Sequence, residues 1–81
     1  MVTSEKIDKN ISAIKLEGVE VRVEKAKDAD YVVIDESQKE IIDGNVYLVS
    51  EKDRFSVTDE INSDSKIIGR VIQVNSRTKS L

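Results

Sequence analysis

The chain has 81 residues, a formal charge of −3 and neither cysteine nor histidine, which excludes from these residues a disulfide, a thiol nucleophile, a Ser-His couple and an imidazole-ligated zinc. A domain of this length buries only about 60–65% of the surface its unfolded chain exposes, so one small core is the most it can build. Acidic balance and scattered basic residues argue against a binder of phosphate backbones, and no apolar run is long enough for a membrane-spanning helix. With no signal peptide in view, a cytoplasmic protein that makes no membrane contact is expected.

Residues 1–10 are polar and are expected to form a flexible N-terminal segment, followed by a single β domain over residues 11–74 and a flexible tail over 75–81. Ile7, Ile11 and Ile14 recur at helical spacing, with Ser4 as an N-cap and Gly18 as a stop, and so allow a short N-terminal helix. The competing reading makes residues 11–16 a strand with Ile14 and Leu16 on one face, and we favour it because the following pattern is β. Val19, Val21 and Val23 alternate with Glu20, Arg22 and Glu24, the period of a half-buried strand.

A charged loop over residues 25–30 leads into the first wholly apolar block, Tyr31-Val32-Val33-Ile34. Its shortness and β-branched content mark a buried strand. Residues 35–40 read as a polar connection and Ile41-Ile42 as a return to the core. Asp43-Gly44-Asn45 suits a tight turn, since Gly and Asn accept positive φ at little steric cost.

Val46-Tyr47-Leu48-Val49 is the second apolar block, residues 50–54 form a hairpin-like turn, and Phe55 and Val57 share one face of a short strand. Residues 59–65 read as a loop anchored by Ile61. The closing strand covers residues 66–74, and Gly69 inside it predicts a bulge or a close backbone approach. Together these elements predict an all-β (mainly β) fold, a small partly open barrel or sandwich of about six short strands.

Candidate chemistry is sparse. Asp28, Asp30, Asp35 and Glu36 lie in or beside loops, and Asp59, Glu60 and Asp64 cluster in another. Neither group has the alternating ligands, mid-loop glycine and closing glutamate of a calcium loop, and solvated acids are expected. Paired-carboxylate sugar chemistry would want a stacking aromatic, and there is no tryptophan. Gly18, Gly44 and Gly69 stand too far apart for a phosphate loop. Tyr31, Tyr47 and Phe55 lack the surrounding positive charge of a base-stacking platform. Phe55 is expected in the core and the tyrosines at its margin, with their hydroxyls in water. No catalytic, cofactor-binding or metal-ligating residue is assigned, and neither a cofactor nor a small-molecule substrate is expected.

Three motifs carry a resemblance. Lys27-Asp28-Ala29-Asp30-Tyr31-Val32-Val33-Ile34-Asp35, then Ile42-Asp43-Gly44-Asn45-Val46-Tyr47-Leu48-Val49, then Ile67-Ile68-Gly69-Arg70-Val71-Ile72 occur in that order. They resemble segments of the C-terminal domain family of LexA and the phage repressors, which has a signal-peptidase-like β fold and cleaves itself with a serine-lysine dyad. The resemblance covers most of residues 14–74. The dyad is not carried over: residues 16–23 stand where the serine motif would be, with glutamate or valine in place of the nucleophile, and Thr58 stands about where the lysine would be. Ser56, Lys52 and Lys66 are nearby but do not match the motif, so an autoprotease built from Ser56 with Lys52 or Lys66 is a lesser alternative. A dyad needs a neutral lysine to take the hydroxyl proton, and losing both members removes the mechanism.

The resemblance implies a degenerate, non-enzymatic member: a C-terminal oligomerisation domain of a phage-type or prophage repressor in transcription regulation. It would pair with itself as a homodimer or higher oligomer and reach DNA only through a separate domain not in this chain. Ile67, Ile68, Val71, Ile72 and Val74 offer more apolar residues than one inward face needs, and the surplus is the expected self-association surface. A central strand buried on both faces would explain the same surplus. The alternative function is a free-standing small β protein that binds a host or phage protein; a single-stranded nucleic-acid binder is a further alternative.

Overall fold

The computed structural model of the chain describes residues 4–75. Seven strands form: β1 (Ser4–Lys6), β2 (Ile11–Lys15), β3 (Glu20–Val21), β4 (Tyr31–Asp35), β5 (Tyr47–Glu51), β6 (Arg54–Thr58) and β7 (Lys66–Asn75), with one turn of 3₁₀ helix at Glu24–Ala26. They make one sheet in the order β1-β2-β4-β7-β5-β6-β3. Every pairing is antiparallel except the parallel contact of β3 with β6. The protein is therefore a small, mainly β domain built on a mixed sheet, and the two-sheet sandwich is not what forms.

The N-terminal helix does not form either. Ile7 and Asp8 donate their amides to the Ile11 carbonyl, which closes a hairpin, and Ser4, Glu5 and Lys6 pair with Ile14, Ala13 and Ser12. A helix would have put Ile7, Ile11 and Ile14 on one buried stripe. In the hairpin only Ile14 enters the core, opposite Val32 of β4, while Ile7 stays 59% exposed. Long-range pairing with a β-branched strand outweighs the local helical spacing. Among the described residues the sheet thus already includes Ser4, ahead of the domain start expected at Ile11, and residues 1–3 of the expected flexible segment lie outside the described residues. It runs to Asn75, and the rest of the expected tail lies outside the described residues.

The sheet cannot be flat. β2 and β3 stand second and last in its order, yet only residues 16–19 join them. From Lys15 to Glu20 the chain can reach roughly 17 Å, whereas five strand spacings in a flat sheet would separate them by about 24 Å. The sheet coils, and its two ends contribute to one core. Ile14 of β2, Val32 and Ile34 of β4, Leu48 of β5 and Val57 of β6 meet there with Leu16, Val23, Ala26 and Val46. Gly18, at φ 82°, turns the short link, and the Leu16 amide donates to the Asp30 carbonyl.

β4 is buried on both faces, as its wholly apolar block predicts. Val32 and Ile34 face the core, and Val33 faces the opposite side. On that opposite side Tyr47, Val49, Ser56 and Thr58 are also buried, whereas the buried Ser12, paired with Ile34, lies on the core face. Part of the cover comes from the connection before β5. The hydroxyl of Tyr47 donates to the Glu40 carbonyl and accepts the Ile42 amide. Tyr47 is therefore not at the core margin with its hydroxyl in water. Its ring is 1% exposed and its hydroxyl holds backbone. Tyr31, by contrast, is exposed.

Ile41 and Ile42 do not re-enter the core. They are 62% and 47% exposed, because Tyr47 takes the inner position and bonds the backbone on either side of Ile41. The turn after them forms as expected, with Gly44 at φ 93° and the Asn45 amide donating to the Ile42 carbonyl. The β5–β6 hairpin closes through Lys52 and Asp53, with Lys52 at φ 56°.

β7 is the middle strand, paired with β4 on one edge and β5 on the other. Its register steps twice. Between Leu48 and Val49 the partner jumps from Gly69 to Ile67, leaving Ile68 as an extra residue. Between Val33 and Ile34 it jumps from Gln73 to Val71, leaving Ile72 extra. Both are β-bulges, which sharpen local twist and help the sheet coil. A Cβ on Gly69 would stand 2.9 Å from the Asp35 carbonyl oxygen, so the close approach expected at this glycine is present beside the first bulge.

Candidate functional site

The two places that the resemblance reserves for nucleophile and base come together in space. Glu20 and Val21 of β3 pair with Ser56 and Val57 of β6, and the Arg22 amide donates to the Val57 carbonyl. Thr58 is the next residue along. What lines this junction is structural. Thr58 is 1% exposed, and its hydroxyl accepts the Glu60 amide at 3.0 Å, which pins the start of the loop over residues 59–65.

Charge here is paired and fixed. The Arg22 Nε donates to Glu20 at 3.0 Å, and its Nη2 donates to Glu51 at 3.2 Å. Arg54 lies 3.7 Å from the same Glu20 carboxylate. The hydrogen bond from Arg22 holds the Glu20 carboxyl below its ordinary range, and Glu20 in turn raises the Arg22 guanidinium above its own. Glu51 is lowered first by the Ser65 hydroxyl, which donates to it at 2.7 Å, and then by Arg22. An arginine stays protonated at every accessible pH, so Arg22 stabilises anions and cannot accept a hydroxyl proton.

Ser56 is completely buried, and its hydroxyl finds no hydrogen-bond partner among the described residues. Neither Lys52 nor Lys66 stands within bonding reach of it. The three residues of the autoprotease alternative are therefore not assembled into a dyad in this structure. The loop acids do not converge either: among the described residues, no three carboxylates come close enough to share a metal ion. No helix of the described residues is long and apolar enough to cross a membrane.

The five expected self-association residues separate. Ile68, Val71 and Val74 pack against the core. Ile72, the extra residue of the second bulge, is 43% exposed, and Ile67 is half-buried outside the core cluster.

A different surface emerges on the sheet's other wing. Ala13 of β2 lies between Glu5 of β1 and Val33 of β4, and Lys15 lies opposite Tyr31 on the same face. With Ser4, Ile7 and Asp30 these residues line an open groove of about 490 Å³. Ile7 and Tyr31 give it exposed apolar walls, and the small Ala13 leaves room between them. Sequence pattern does not point to this site, because it depends on β1 joining the sheet. The one usable signal is a small residue, Ala13, between Ile11 and Lys15 on one face of a strand, beside a strand that opens on a tyrosine.

Compared with known proteins, the chain matches no family model, no curated protein and no solved structure.

Proposed function

We propose that this chain is a non-catalytic association domain: a partly open barrel that descends from the LexA and phage-repressor C-terminal family and joins copies of itself. One observation carries the reading. β3 lies against β6, so the positions where that family would keep its nucleophile and base are neighbours, and they hold a glutamate or valine of β3 and the engaged Thr58. Neither an arginine-paired Glu20, a half-buried Val21 nor a hydroxyl already bonded to backbone supplies an activated nucleophile or a base. In a cytoplasmic repressor of a phage or prophage, self-association would raise the effective concentration of DNA-binding domains carried elsewhere. No enzyme activity and no cofactor belong to this reading.

The test is sedimentation equilibrium of the purified chain from low to high micromolar concentration. A reversible dimer or higher oligomer is expected, and a strict monomer across that range overturns the proposal. A second reading, a free-standing module that binds another protein, draws on the exposed Ile41-Ile42 pair that Tyr47 holds outward. A monomer whose partner binding is abolished by Ile41→Ser would favour it.

A further inference from the structure

We propose that the groove on the β1–β2–β4 face is where two copies of this chain meet about a two-fold axis. The inference rests on the self-association reading and names its surface.

Other ways of pairing are poorly served. Among the described residues the sheet has two edges, β1 with three residues and β3 with two, and these offer few free backbone groups for adding another strand. β7 has no free edge, since β4 and β5 flank it. A face remains. On the β1–β2–β4 wing the core-opposed side carries Ile7 and Tyr31, large apolar side chains open to solvent on either side of Ala13.

The rim makes this patch complementary to itself. A two-fold contact applies one surface to its own copy, so it needs an apolar centre with opposite charges on the two sides. Glu5 and Lys15 supply them. They lie on one face, Glu5 directly opposite Ala13 and Lys15 two residues further along β2. Glu5 makes no ion pair among the described residues. Among the described residues Lys15 pairs with Glu17, at 3.6 Å, and both side chains there are largely exposed, so this partner is readily exchanged. About a two-fold axis, Lys15 of each copy faces Glu5 of the other, and each Tyr31 ring fills the space above the other copy's Ala13.

The experiment measures dimer affinity by sedimentation velocity for the full chain and for Lys15→Glu and Glu5→Lys, with Ile41→Ser as a remote control. Both reversals sit on exposed side chains, and circular dichroism checks that they fold. Each alone sets like charges against each other across the axis and is expected to weaken the dimer on the order of tenfold. An equimolar mixture of the two restores both opposite pairs and is expected to recover association, while Ile41→Ser changes nothing. A wild-type dimer that ignores both reversals, or a mixture that does not recover, overturns this surface and leaves self-association standing. A wild-type chain that stays monomeric overturns both the surface and the reading beneath it.

Discussion

The Tyr47 hydroxyl donates to the Glu40 carbonyl at 2.7 Å and accepts the Ile42 amide at 2.8 Å, so one buried side chain clamps the backbone on both sides of Ile41. Tyr47→Phe keeps the ring and removes both bonds. We expect a loss of about 1–2 kcal/mol, the usual scale for hydrogen bonds that leave partly buried partners behind. Urea denaturation reads the loss, and hydrogen exchange at the Ile42 amide should speed up more than exchange within β5. Unchanged protection at Ile42 would show that the clamp does not hold the connection.

Gly69 and Gly44 separate two reasons for glycine. Gly69 does not need positive φ, and its constraint is the Asp35 backbone, with the carbonyl oxygen at 2.9 Å and the carbonyl carbon at 3.2 Å from an added Cβ. Gly69→Ala therefore pushes β7 away from β4 and should cost about 1–3 kcal/mol, as overpacking does. Gly44 has open space around it but sits at φ 93°. Gly44→Ala should cost roughly 1–2 kcal/mol through backbone strain alone. Chemical shifts in β4 and β7 tell them apart, since only the Gly69 variant should disturb both strands.

Ser56 is a buried hydroxyl without a partner among the described residues, lying opposite Val49 on β5 and Glu20 on β3. Removing an unsatisfied hydroxyl relieves a desolvation cost, so Ser56→Ala should stabilise the fold by about 1 kcal/mol. Thermal unfolding measures it. A clear loss of stability instead would mean that the hydroxyl is bonded in solution.

Acid should unfold the protein through a small set of carboxylates. The Lys6 ammonium holds Glu36 below the ordinary range by hydrogen bonding, and the Ser12 hydroxyl adds to this. Ser37 lowers Asp35, Arg22 lowers Glu20 and Ser65 lowers Glu51. A carboxyl with a folded-state pKa below its unfolded one binds fewer protons when folded. Its stabilisation is complete above the unfolded value, about 4.3 for glutamate, and fades as pH falls through the folded value. Stability should be level near neutrality and decline below roughly pH 4.5. Glu36→Gln should flatten part of that decline, because Glu36 joins β1 through Lys6 to β2 through Ser12. A variant with the wild-type acid slope would remove Glu36 from this account.

The strands that were legible in sequence are those whose neighbours along the chain carry the pattern. Tyr31-Val32-Val33-Ile34 and Val46-Tyr47-Leu48-Val49 became β4 and β5 nearly as read, and Gly69 marked a bulge and a close approach together. Ile41-Ile42 misled because apolar character does not reveal which competitor wins the inner position, and Tyr47 won it. The apolar excess of β7 was visible, but which of its residues pack against the core and which stay outside it was not. The groove was invisible, since Glu5 and Tyr31 are brought to one face only by pairing on either side of β2.

By itself the amino-acid order determined that this is a β protein, where its buried blocks lie and which chemistries its side chains cannot perform. Those are properties of composition and of a two-residue period, and they need no knowledge of distant neighbours. Tertiary structure alone decided that β1 joins the sheet, that β3 crosses to lie beside β6, and that an apolar groove opens beside Ala13. Strand pairing is made between residues far apart in the chain, and its energy belongs to the pair rather than to either strand.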